Sequence, residues 1–152
     1  SVDNLRHVGI VVSDLDKAIN VYTDYFGFEL KAQNDLIKGE NAEVLVGIPD
    51  VRWRWAIIKL HDNNRLELIE YLSHPGTKRE PLLPNDIGCS HFAISVKNLD
   101  ELYNRSVDYP VDFVSPPFLD GYVKVAYARI MNECLVEMVE VLDERARFSG
   151  GP

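Results

Sequence analysis

Two histidines and two glutamates hold matching places in the two halves of this 152-residue chain. His7 and His91 each open a short apolar run, "HVGIVV" and "HFAISV", while Glu67 and Glu137 sit inside later ones, "RLELIEYL" and "CLVEMVEV". Side chains alternate across a strand, so Val8, Ile10 and Val12 share one face, with His7, Gly9 and Val11 on the other. By the same rule Phe92, Ile94 and Val96 oppose His91, Ala93 and Ser95. Leu66, Leu68 and Leu72 oppose Glu67, and Val136 and Met138 oppose Glu137. The apolar faces must pack under helices, which leaves all four polar residues on the far side. Burying a carboxylate there costs several kcal/mol, on the order of the desolvation penalty of an ion, unless something compensates it. A divalent cation would do so, and two imidazoles with two carboxylates make a four-ligand set. A lone strand histidine is more often a satisfied structural residue, and most glutamates point to solvent. Four such residues at repeated positions favour the metal. His61, in "HDNN", and His74, in "SHPG", have no such counterparts and are set aside.

The elements that must position these residues also repeat. His7 and His91 lie 84 positions apart, and at that offset Ile10 meets Ile94, Val12 meets Val96, Leu15 meets Leu99 and Asp16 meets Asp100. Each copy reads as a strand, a turn and a helix. Leu15, Ala18, Ile19 and Tyr22 give the first helix an apolar face, and Leu99, Leu102 and Tyr103 the second. Ser13 and Asn98 are the expected helix caps, since a short polar side chain accepts from the free first-turn N–H groups. Three strand-like stretches follow each helix: "FGFELKAQ", "VRWRWAIIKL" and "NRLELIEYL", then "VDFVS", "GYVKVAYARI" and "ECLVEMVEV". The expectation is a βαβββ module over 1–72, a Pro- and Gly-rich linker over 73–87, a second module over 88–142 and a polar, fraying tail over 143–152. "KGENAEVLVGIPD" is a loop with room for a short helix. In "VRWRW", Trp53 and Trp55 share one face and Arg52 and Arg54 the other. Either pair could meet a ligand, or the tryptophans could be core and the arginines rim.

A net charge of −8 repels phosphate backbones, and no basic stripe interrupts it, so nucleic acid is excluded as a partner. No run of eighteen apolar residues is present, so no membrane span is expected. The opening residues carry no basic, apolar signal region, and the expected location is cytoplasmic. Cys89 and Cys134 lie in apolar runs without CxxC spacing, which reads as reduced, buried thiols. Asn104-Arg105-Ser106 matches a glycosylation acceptor but falls inside a predicted helix.

The paired βαβββ units, with His on each first strand and Glu on each last strand, resemble the vicinal oxygen chelate superfamily. That group includes glyoxalase I, methylmalonyl-CoA epimerase, extradiol dioxygenases and fosfomycin resistance proteins. The resemblance covers roughly residues 5–141. It implies an α+β fold in which tandem βαβββ modules form an open, curled, eight-stranded mixed sheet with a metal-binding cleft. It places His7, Glu67, His91 and Glu137 at the family's ligand positions for a divalent ion (Zn, Ni, Co, Mn or Fe). It also implies that Glu67 or Glu137 acts as the catalytic base. The function implied is a metal-dependent isomerase, epimerase or lyase acting on a small carbonyl substrate through a metal-stabilised enolate, in a homodimer. Two alternatives are an iron(II)-dependent extradiol-type dioxygenase and a metal-free small-molecule binding or resistance protein. A carboxylate at Glu67 argues against the dioxygenases, which do not usually have one there. The 24 positions from Glu67 to His91 resemble the epimerases more than glyoxalase I. "RIMNE" stands where glyoxalase I has its "DPDG" turn, whereas the epimerases often have Gln at the place of Glu67.

Overall fold

The computed structural model describes residues 1–88, 91–143 and 145. Cys89 and most of the tail therefore lie outside the described residues. The chain divides into two compact units, Ser1–Thr77 and Lys78–Pro152. The class is α+β, with one open mixed sheet in each unit.

In the first unit the order is β1 (Val8–Val11), α1 (Leu15–Asn20), a π turn (Val21–Tyr25), β2 (Glu29–Ile37), α2 (Glu40–Val46), β3 (Trp53–Lys59) and β4 (Arg65–Tyr71). The sheet order is β1-β4-β3-β2, with β1 parallel to β4 and the other pairs antiparallel. Leu15, Ala18, Val21, Tyr22 and Tyr25 are buried, so the apolar stripe of α1 runs on through the π turn. It lies against β3 and β4, whose Ala56, Ile58, Leu66 and Leu68 are likewise buried. Gly27 (φ 75°) ends the turn in a left-handed conformation that side chains disfavour. The less regular stretch does hold a helix. α2 sets Ala42 against Trp53, with Trp55, Ile69 and Tyr71 packed around them.

The second unit runs β5 (His91–Ser95), α3 (Leu99–Arg105), a 3-10 turn (Ser106–Asp108), β6 (Val111–Phe113), β7 (Phe118–Asp120), β8 (Val123–Ile130) and β9 (Cys134–Val141). Its order is β5-β9-β8-β6, with β7 also on β8, and β5 parallel to β9. Ile94, Leu99, Ala126, Ala128, Val136 and Met138 form the core on the α3 side. The repeat is thus structural as well as sequential. The last-strand glutamates lie 70 positions apart rather than 84, because the second unit has β7 where the first has α2 and its flanks.

Four expectations need correction. The strands number nine among the described residues, not eight, because β7 is three residues long and shows no readable period. Ser13 is not the cap of α1: Asp14 is, its carboxylate accepting from Lys17 N at 3.0 Å. Asn98 sits at the N-cap of α3 with a left-handed φ of 56°, and its side chain bonds Glu101 rather than the backbone. Leu72 falls beyond the end of β4 and is exposed, and Val8 is exposed too, whereas Ile10 and Val12 are buried as expected. No helix of the described residues is long and apolar enough to cross a membrane.

Candidate functional site

The pairing register decides where the four residues go. In the first unit Gly9 pairs with Glu67 across the parallel β1–β4 contact, so His7 lies one pleat before the glutamate on the same face. His7 directly precedes β1, and its Nε2 lies 2.8 Å from Glu67 Oε2. Gly9 presents no side chain beside that contact, although a Cβ there would meet only Ile69 at an ordinary 3.8 Å. In the second unit Ala93 pairs with Glu137 and His91 with Leu135, the same two-residue stagger. There His91 Nε2 lies 3.9 Å from Glu137 Oε2. Each unit therefore brings its own expected His and Glu together.

The two pairs differ in surroundings. Glu67 retains 20% side-chain exposure, while Glu137 has 6%. Among the described residues Glu137 has no hydrogen-bond donor, only the His91 imidazole at 3.9 Å. Tyr127, directly across from Glu137 on β8, makes the difference. Its hydroxyl hydrogen-bonds His91 Nε2 at 3.1 Å, and the two ring centroids are 4.8 Å apart. Burial, and then the charge of Glu137, push the Tyr127 phenol above its ordinary value. Alternation alone does not mark Tyr127, although one signal in the sequence exists. At the offset of 70 it replaces Ile57, the residue that faces Glu67 in the first unit. A cavity of about 290 Å³ opens beside this group, with Tyr127, Glu137, Asp120 and Val125 in its wall.

The other candidates go elsewhere. His61 packs edge-on to Phe28 with centroids 6.0 Å apart, and neither it nor His74 joins the pairs. Trp53 is core, on the Glu67 face but beneath α2. Arg54 turns to the opposite side, where Asp16 of α1 takes it at 2.7 Å. The tryptophan-as-core alternative therefore describes this strand.

Does a divalent ion fit these residues? At the tetrahedral angle, zinc–nitrogen and zinc–oxygen bonds of about 2.0–2.2 Å place two neighbouring donors roughly 3.3–3.6 Å apart. The His7–Glu67 separation of 2.8 Å, that of a direct hydrogen bond, falls just short of this and the His91–Glu137 separation of 3.9 Å just beyond it, so small side-chain shifts would bring either pair to that spacing. Imidazole with carboxylate is a donor set for zinc, iron, nickel, cobalt or manganese. Among the described residues no three His, Cys, Asp or Glu side chains come together, so each unit offers two neighbouring donors.

Comparison with known proteins follows the same architecture. A glyoxalase family protein from Bacillus cereus superposes with a TM-score of 0.83 at 23% identity, covering 94% of this chain and 97% of that one. The trypanothione-dependent glyoxalase I of Leishmania major gives 0.67 at 18% identity, with 97% and 91% covered. A fosfomycin resistance protein from Listeria monocytogenes, complexed with Mn(II) and a dihydroxypropylphosphonic acid, gives 0.65 at 15% identity, with 98% of each chain covered. At these identities the likeness is one of fold. No curated protein matches the chain. The family model for the Glyoxalase/Bleomycin resistance protein/Dioxygenase superfamily matches residues 4–137. By that match, and by its doubled sheet-and-helix unit, the chain belongs to the glyoxalase/bleomycin resistance protein/dioxygenase superfamily, the vicinal oxygen chelate group.

Proposed function

We propose that the protein is a divalent-metal-dependent isomerase, epimerase or lyase acting on a small carbonyl compound, with His7, Glu67, His91 and Glu137 as metal ligands. The observation that carries this reading is the repeated stagger. Both histidines lie one pleat before the residue that pairs with the glutamate, at 2.8 Å and 3.9 Å from its carboxylate. Each pair lies on the sheet face opposite α1 or α3, and imidazole with carboxylate is a donor set that divalent metals take.

A bound divalent ion supplies Lewis acidity that polarises a chelated carbonyl and acidifies the neighbouring C–H. The chain's own part is to move that proton. Glu67 or Glu137 accepts it and returns it, and a carboxylate within hydrogen-bond reach of the substrate carbon suffices for this. Tyr127 holds the His91 ring, which limits how that imidazole can turn. The proposed assembly is a homodimer. The test of the metal assignment is metal content after purification. His7→Ala and His91→Ala should each lose most of the bound metal, while His61→Ala and His74→Ala keep it. Equal content in all four variants would overturn the assignment.

A further inference from the structure

We infer that the second unit selects an uncharged small molecule with an apolar body and rejects anions, through the cavity between β7, β8 and Glu137. That the selected molecule carries a carbonyl rests on the function proposed above, whereas its charge and apolarity rest on the cavity alone.

The wall of this cavity is apolar along most of its length, with Val114, Phe118 and Val125 prominent. Phe118 and Val114 are 54% and 46% exposed, so a ligand seated there would remove large apolar side chains from water. At about 290 Å³ the space suits a small molecule and not a polymer. Its charged groups are all of one sign: Glu137, almost fully buried, and Asp120 at the rim. No lysine or arginine lines it among the described residues, and the two cations of β8 are engaged elsewhere. Lys124 meets Asp100 at 2.7 Å on the α3 side, and Arg129 Nε donates to Leu82 O at 2.7 Å. An anionic head brought into this space would lose water and meet the like charge of Glu137 and Asp120. Asp120 is not among the proposed metal ligands, so its charge faces the cavity with or without an ion at Glu137.

The experiment uses three probes with one hydrocarbon body: phenylacetone (uncharged), phenethylamine (cationic) and phenylacetate (anionic). Each is titrated into the full chain after chelator treatment and followed by NMR, so the result does not depend on metal binding. Phenylacetone should bind about tenfold or more tighter than phenylacetate. Asp120→Asn should narrow the phenethylamine-to-phenylacetate ratio by roughly threefold, with phenylacetone little changed, as expected for a partly screened charge. Ser115→Trp, which fills the cavity, should abolish phenylacetone binding, and Phe118→Ala at the exposed mouth should weaken it several-fold without risk to the core. Phenylacetate binding within about twofold of phenylacetone would overturn the inference, given that tenfold is about 1.4 kcal/mol. So would phenylacetone binding that survives Ser115→Trp, or no binding by any probe. Loss of the metal assignment with this selectivity intact would sink the proposed function and leave the cavity's preference standing.

Discussion

Glu67 and Glu137 have the same register but different settings, and this separates their chemical roles. Glu67 touches His7 at 2.8 Å and keeps some water, whereas Glu137 is nearly enclosed and has His91 at 3.9 Å. Substituting glutamine at either place keeps an oxygen donor and removes the base. On the proposed chemistry, Glu67→Gln should retain most metal but slow exchange of a substrate α-proton with deuterated solvent by about 10²-fold or more. The same fall in Glu137→Gln alone would move the base to the second unit. Unchanged turnover in Glu67→Gln with iron bound and oxygen consumed would replace the isomerase reading by the dioxygenase one. Tyr127→Phe removes only the hydroxyl that meets His91. Its expected cost to stability is about 1 kcal/mol, that of one hydrogen bond, read from urea unfolding.

The helices are anchored by a repeated device that lies on the opposite face of the same strands. Glu70 accepts from Leu15 N at 2.7 Å at the start of α1. Glu140 accepts from Asn98 N at 3.0 Å and Leu99 N at 3.1 Å at the start of α3. Beside each lies a cation on the neighbouring strand, Arg54 on Asp16 and Lys124 on Asp100, both at 2.7 Å. The carboxylates of Asp16 and Asp100 lie in the first turns of these helices, where negative charge is favoured. Asp16, hydrogen-bonded to Arg54, raises the guanidinium pKa, and Asp100 does the same for Lys124. Removing the first-turn acceptors should cost helix-cap energies. Glu70→Ala and Glu140→Ala are each expected to lose about 1 kcal/mol, the latter more because two N–H groups go unmet. Glu70→Gln and Glu140→Gln keep an acceptor and should stay within about 0.5 kcal/mol of the parent, roughly the size of an ordinary surface change. Alanine and glutamine variants of equal stability in chemical denaturation would show that these carboxylates do not anchor the helices.

At the scale of the whole molecule, β2 is a nine-residue edge strand exposed along almost its entire length, with Leu30 and Leu36 uncovered. Open edges invite pairing, and its two register shifts and the charges at Lys31 and Asp35 only partly blunt this one. On the proposed homodimer, sedimentation at micromolar concentration should give about twice the 17.3 kDa chain mass. A single 17.3 kDa species would count against it.

Much of this architecture was legible in the chain because it is written in local periods. Alternation of two places His7 and Glu67 away from the apolar face, and a spacing of three to four puts Leu15, Ala18 and Tyr22 on one side of α1. Doubling of the unit then turned four separate hints into a pattern, since His91 and Glu137 repeat the same offsets from their neighbours. The family match over residues 4–137 agrees with that reading of the fold. What the local periods do not contain is pairing register and long-range reach. Tyr127 meets His91 only because β8 pairs with β9 in one particular register, and a one-residue slip would turn it to the α3 side. Glu70 reaches Leu15 across 55 positions of sequence, so this acceptor at the start of α1 could not be found by inspecting Asp14 and its neighbours. Trp53 lies on the Glu67 face yet is core, because α2 folds over it. These outcomes depend on strand pairing and on which helix covers which end of a sheet, and both are settled by burying apolar area that is spread along the chain.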